Sequence, residues 1–183
     1  IEELLLIFDE VPIDCEFAVV KEKKERSLWL LQVRHLILAE SPKTVSKHLE
    51  QLNLIKKKIK NGMEQKPFLV GKRTVYGIMP DWNPAEIIGK RPKPLALSLY
   101  KDLITDSIWA YQRHNYGYRN LRSCPLMVNF LGAPYIDVRV SFNSFIPSDL
   151  NDKLAGRLVD FYLDKLVSNP SLHDKIEFEI VSS

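Results

Sequence analysis

The residues best suited to chemistry lie near the start of this 183-residue chain. Asp14-Cys15-Glu16-Phe17-Ala18 is followed by Leu31-Gln32-Val33-Arg34. Side chains alternate along a strand, so Gln32 and Arg34 share one face. On two neighbouring antiparallel strands Glu16 joins them. A carboxylate and an amide oxygen are hard donors that suit Mg²⁺. A guanidinium beside them holds and neutralises a moving phosphoryl group. Glu16 and Gln32 are therefore candidate metal ligands, and Arg34 is the candidate catalytic and phosphate-binding residue. The competing reading of the same spacing is an ordinary hairpin whose polar groups face water.

A second candidate set lies in Tyr135-Ile136-Asp137-Val138-Arg139-Val140-Ser141-Phe142-Asn143. Read as a strand, it puts Asp137, Arg139, Ser141 and Asn143 on one face and apolar residues on the other. In a cleft, such a row would bind an anionic or hydroxylated small molecule. In water it is an amphipathic strand. Arg119 and Asn120 are loop candidates for the same site, with turn formation as their structural alternative.

These residues need elements to position them. Residues 1–8 read as the end of a helix, and residues 13–21 and 28–36 as strands around a charged loop at 22–27. Ser41-Pro42 opens a helix, as N-cap and first-turn residue. Its stripe of Val45, Leu49, Leu52, Ile55 and Ile59 ends at Gly62. Next come a short strand at 74–79, a Pro-rich turn region at 81–94 and a helix or helix pair over 95–111, with a break at Thr105-Asp106. In the turn region, Asn83 or Asp81 caps a short helix containing Glu86. Strands at 126–131 and 135–142 form a hairpin around Gly132-Ala133-Pro134. Ser148 or Asp149 caps a helix to about Val167, with Leu150, Leu154, Leu158, Phe161 and Leu166 as its buried stripe. An alternating strand over 176–181 ends the pattern. The expected class is α+β. The expected organisation is a hairpin-bearing segment over 1–40, a linker helix over 41–66 and a mixed α+β domain over 67–183.

Composition limits the function classes. With 45% hydrophobic residues the chain can bury a sizeable core. A net charge of +3, with acids and bases interspersed, argues against a nucleic-acid or membrane surface. Lys56, Lys57, Lys58 and Lys60 fit a solvated helix face. No apolar run approaches the ~20 residues of a membrane span. The two cysteines, Cys15 and Cys124, form no CxxC pair, so no zinc or disulfide framework is visible and a reducing cytoplasm is expected. No Ser-His-Asp pattern or dinucleotide loop is present.

The order Asp14-x-Glu16-aromatic, hairpin, Leu-x-Gln32-x-Arg34 resembles the C-terminal end of the ATP-grasp domain in the phosphoenolpyruvate synthase and pyruvate phosphate dikinase family. The resemblance covers about the first 40 residues. It implies that Glu16 and Gln32 bind the metal of an ATP–Mg²⁺ complex and that Arg34 meets its phosphates. His35 stands where that family usually has proline, and the hairpin carries extra charges. Asn83-x-x-Glu86-x-x-Gly89, followed by Pro94-Leu95, resembles the start of the middle domain of rifampicin phosphotransferase. Residues 75–181 look like the matching region of proteins labelled phosphoenolpyruvate synthase. The resemblance implies a kinase-type transferase with a phosphohistidine relay and pyruvate or phosphoenolpyruvate as small-molecule substrate. The chain is expected to be a fragment that works with the remaining domains of the same polypeptide and is inactive alone. His35, His48, His114 and His173 match no phosphohistidine motif. The alternative is a non-catalytic ligand- or protein-binding α+β module.

Overall fold

A computed structural model describes residues 2–9, 11–22, 25–36 and 45–181. The chain divides into two compact units, Ile1–His48 and Leu49–Ser183. Both helices and small antiparallel sheets are present, so the class is α+β.

The first unit holds helix α1 (Glu2–Ile7) and the strands β1 (Ile13–Glu22) and β2 (Glu25–His35), paired antiparallel. Pairing runs further than the charge pattern suggested. Val20 faces Ser27 and Lys21 faces Arg26, so most of the expected loop is strand. Lys23 and Lys24 lie outside the described residues, as does the helix start expected at Ser41-Pro42. Helix α2 (Val45–Gly62) contains the boundary between the units and buries no residue fully.

In the second unit, β3 (Tyr76–Gly77), β4 (Met127–Phe130) and β5 (Ala133–Asp137) form an antiparallel sheet in the order β3-β5-β4. The connection is tighter than expected. Leu131 and Gly132, both at positive φ (52° and 93°), are the two turn residues, while Ala133 and Pro134 already belong to β5. Positive φ at both centres is the hairpin turn that matches strand twist. Asn129 Oδ1 accepts from the Gly132 N–H at 2.7 Å and braces it. Pro134 pairs with Asn129, whereas β3 covers β5 only at Ile136 and Asp137, so the missing N–H leaves no ladder bond unmade on that side.

Asn83 caps α3 (Pro84–Ile87), accepting from the N–H groups of Ala85 and Glu86. Helix α4 (Pro94–Tyr100) passes into a π-helical turn over Lys101–Thr105, and α5 (Ile108–Asn115) follows the break at Asp106-Ser107. Two helices follow the sheet, α6 (Val138–Asn143) and α7 (Asp152–Ser168), and α8 (Ile176–Val181) comes last.

Three expectations are corrected here. Residues 138–143 are helix rather than strand, because the Asp137 carboxylate accepts from the Val140 N–H and starts a turn. All six residues of α6 are buried, so its polar alternation marks no water-facing side. Residues 176–181 are also helix: Ile176 and Ile180 are buried, while Phe178 between them is 71% exposed. Finally, Asn151 caps α7, and its inner stripe is Ala155, Val159, Tyr162, Leu163 and Leu166. Leu154 and Phe161 face outward. The real stripe steps by four, three, one and three residues, which keeps one helix face against the core. The core joins Trp109, Leu126, Ile136, Val140, Phe142, Ile146 and Leu163 to that stripe.

Two glycines test this packing. A Cβ on Gly132 would meet nothing within 4 Å, whereas one on Gly71 (φ +96°) would come 2.8 Å from Val159 Cγ1. Gly132→Ala should cost about 1–2 kcal/mol from backbone strain alone. Gly71→Ala should lose about 1–3 kcal/mol more from overlap with α7. Urea denaturation of both variants checks this, and equal losses would contradict the packing of α7 on the 70–71 segment.

Candidate functional site

In the β1–β2 ladder Asp14 stands opposite Arg34 and Glu16 opposite Gln32. Directly opposed residues, and those two apart, project to one side. The register thus brings Glu16, Gln32 and Arg34 onto a single face, with Asp14 added. Arg34 Nε donates to Asp14 Oδ2 at 2.8 Å, and a terminal nitrogen lies 2.7 Å from the same oxygen. That bond raises the already high pKa of Arg34, Asp14's charge and, more weakly, Glu16's acting the same way. Exposed ion pairs contribute little to stability. The consequence of this one is orientation: Arg34 is held alongside Glu16 and Gln32. The sequence reading quoted Asp14 but gave it no role, which only the strand register supplies.

The pairing register shifts just after Glu16, because Phe17 faces Leu30 and Leu31 is skipped. An extra residue in one strand reverses the alternation beyond it. Phe17, Val19, Leu28 and Leu30 therefore share the side opposite Glu16, and all four are exposed. Ala18, Val20 and Trp29 follow on the side of Glu16, so the polar set is confined to the end of the ribbon around residues 14–16 and 32–34.

The second predicted set has a different setting. Asp137, Arg139, Ser141 and Asn143 are all buried. Thr74 Oγ1 donates to Asp137 Oδ1 at 2.5 Å. Burial pushes the Asp137 carboxyl above its usual range, opposed by that hydroxyl. Arg139 donates to the carbonyls of Gly62 (2.9 Å) and Glu64 (3.1 Å). Its Nε and second terminal nitrogen have no partner among the described residues. Asn143 accepts from the Val70 N–H and donates to the Val70 and Arg139 carbonyls, each at 2.8–2.9 Å. Ser141 Oγ donates to Glu177 Oε1 at 2.7 Å. These groups bind the protein to itself. Arg119 is apart from them, donating to Asp152 Oδ1 at 2.7 Å and to the Phe68 carbonyl at 3.5 Å. Asn120 Oδ1 accepts from the Arg122 backbone and side chain, which is a turn role.

Sequence reasoning missed a third group. Glu177 is only 4% exposed; besides Ser141 it accepts from the Asp81 N–H at 3.2 Å. The Asp81 carboxylate pairs with Arg113, whose guanidinium stacks on Phe145 with 4.4 Å to the ring centroid. Pro80, Asp81, Arg113, Phe145, Glu177 and Phe178 line a recess of about 400 Å³. Burial, reinforced by Asp81's charge, pushes Glu177 up to about 7. Perturbed acids in clefts are candidates for proton exchange. The four-residue spacing of Ile176 and Ile180 fits a strand face and a helix face alike, so the sequence held no signal that singled out Glu177. Among the described residues no group of three or more His, Cys, Asp or Glu can hold a metal ion. No described helix is long and apolar enough to cross a membrane.

Comparison of the chain with family models, curated proteins and solved structures finds no match.

Glu177 generates a pH prediction. Its folded pKa lies above the ordinary 4.5, so the folded state favours the protonated form. The associated stability is complete below about pH 4.5 and is lost as pH rises through about 7. The displacement corresponds to about 3 kcal/mol. Unfolding free energy should therefore fall between pH 5 and pH 8, and the fall should shrink by about that amount in Glu177→Gln. Identical pH slopes for the two proteins would contradict the buried setting of Glu177.

Proposed function

We propose that this chain is part of an ATP-dependent phosphotransferase of the phosphoenolpyruvate synthase and dikinase type. In this reading the β1–β2 hairpin supplies one edge of the nucleotide site, and the second unit helps to build the acceptor site. The supporting observation is the common polar face of Asp14, Glu16, Gln32 and Arg34, set by strand register. Magnesium commonly takes one or two protein oxygens and completes its shell with phosphate and water. The Glu16 carboxylate and Gln32 amide oxygen fit that demand. Held there, such an ion would supply positive charge to offset that of the phosphates. Arg34 uses one edge of its guanidinium on Asp14, leaving further donors for a phosphate. The remaining ligands come from other domains of the same polypeptide, which acts in the cytoplasm on pyruvate or phosphoenolpyruvate.

The second reading is a non-catalytic ligand- or protein-binding module. The internal bonding of Asp137, Arg139, Ser141 and Asn143 favours it, because those groups are engaged with the protein itself.

The two readings separate by ³¹P NMR with Mg-ATP and pyruvate. The polypeptide carrying this chain together with its other domains should form phosphoenolpyruvate. Glu16→Ala, Gln32→Ala and Arg34→Ala should each slow it about 100-fold. The 183-residue chain alone should form none. Unchanged rates in the three variants, or turnover by the isolated chain, would refute the proposal.

A further inference from the structure

The second unit contains a cavity that the hairpin reading does not use. It has a volume of about 520 Å³, within the range of small-molecule sites. Ile55, Ile59 and Met63 form one wall, and Tyr76, Phe130 and Tyr135 form the other. The aromatic wall is built rather than accidental: Phe130 meets Tyr76 and Tyr135 edge-on, with centroids 4.9 and 5.8 Å apart.

Charge around this cavity is one-sided. Arg91 lines it and is exposed, with no ion pair among the described residues. Lys58 Nζ sits 5.9 Å from the Phe130 ring centroid and donates to the Asn129 carbonyl. Arg139 lies close behind the same wall. It is fully buried, bonded to the Gly62 and Glu64 carbonyls and to Thr74 Oγ1 through its backbone N–H. Thr74 and Tyr76 line the cavity, and Tyr76 senses the Arg139 charge. Two Arg139 nitrogens have no partner among the described residues, an uncommon state for a buried cation. Asp137, opposite Tyr76 in the ladder, is buried and takes a hydrogen bond from Thr74. Its charged form is disfavoured by that burial. The neighbouring recess around Val75, Met79 and Leu166 has only His173 as a basic group, and that ring contacts the Pro170 carbonyl.

We propose that this cavity binds a small amphipathic anion, with an apolar body between the two walls and a carboxylate or similar head at Arg91. The inference stands on the second unit alone and survives failure of the hairpin reading. An apolar lining fixes the body, and uncompensated cations select the sign of the head.

Octanoate, 1-octanol and octylamine share one tail and differ in the head. Titrated into ¹⁵N-labelled protein, octanoate should shift the amides of Met63, Tyr76 and Ala133, with a dissociation constant of roughly 1 mM. Octanol should bind more weakly and octylamine not at all. Arg91→Ala removes an exposed side chain and should weaken octanoate about fivefold without changing octanol. Ile59→Trp, which fills the cavity from the α2 side, should abolish the shifts. Equal binding of all three probes, shifts mapping elsewhere, or an Arg91→Ala variant that binds octanoate normally would overturn the proposal.

Discussion

The second unit depends on a short helix that is both polar and wholly inside. Polar groups withdrawn from water cost several kcal/mol unless they find partners. Helix α6 meets most of that demand by reaching in several directions, two nitrogens of Arg139 being the exception among the described residues. Asp137 starts it, held by the Thr74 hydroxyl. Arg139 gathers the carbonyls that end α2, Asn143 clasps Val70, and Ser141 reaches Glu177 on α8. Segments far apart in sequence are thereby fixed to one point. The apolar members of the same helix, Val138, Val140 and Phe142, join the core. Because each polar contact is specific, α6 has one acceptable position where a greasy helix would have several.

The hairpin obeys a different constraint. A two-stranded ribbon is marginal in water without something on its apolar face. Here a one-residue slip turns Phe17, Val19, Leu28 and Leu30 to the side opposite Glu16, Gln32 and Arg34, while Ala18, Val20 and Trp29 stay on the side of those polar groups. The proposal made for this segment rests on its polar end alone, where Asp14, Glu16, Gln32 and Arg34 share a side.

Much of this was readable from sequence, and the failures share a cause. The hairpin strands, the Asn83 cap, the helix break before Ile108 and the β4 strand follow from local signals that tertiary packing left alone. The sorting of Glu16, Gln32 and Arg34 onto one side also followed from alternation. Residues 135–143 misled because alternation of polar and apolar residues assumes that polar means outside. In a fully buried helix with internal partners that assumption fails, and the deciding residue was the cap at Asp137. Residues 176–181 carried both periods at once, and burial of Ile176 with Ile180 chose the helix. The α7 stripe was misjudged because Leu154 and Phe161 outrank Ala155 and Val159 in hydrophobicity. Yet Val159 and Gly156 face the close approach of Gly71. Glu177 escaped notice because nothing local distinguishes a buried glutamate from an exposed one.

The central claim is that α6 is an internal cross-tie and not a face open to solvent. Amide hydrogen exchange resolved at Val140, Ser141 and Asn143 tests it most directly. Exchange only through global unfolding, at rates matching the slowest core amides of the second unit, is the predicted result. Exchange of those three amides within minutes under native conditions, while the sheet amides of β4 and β5 stay protected, would contradict the account.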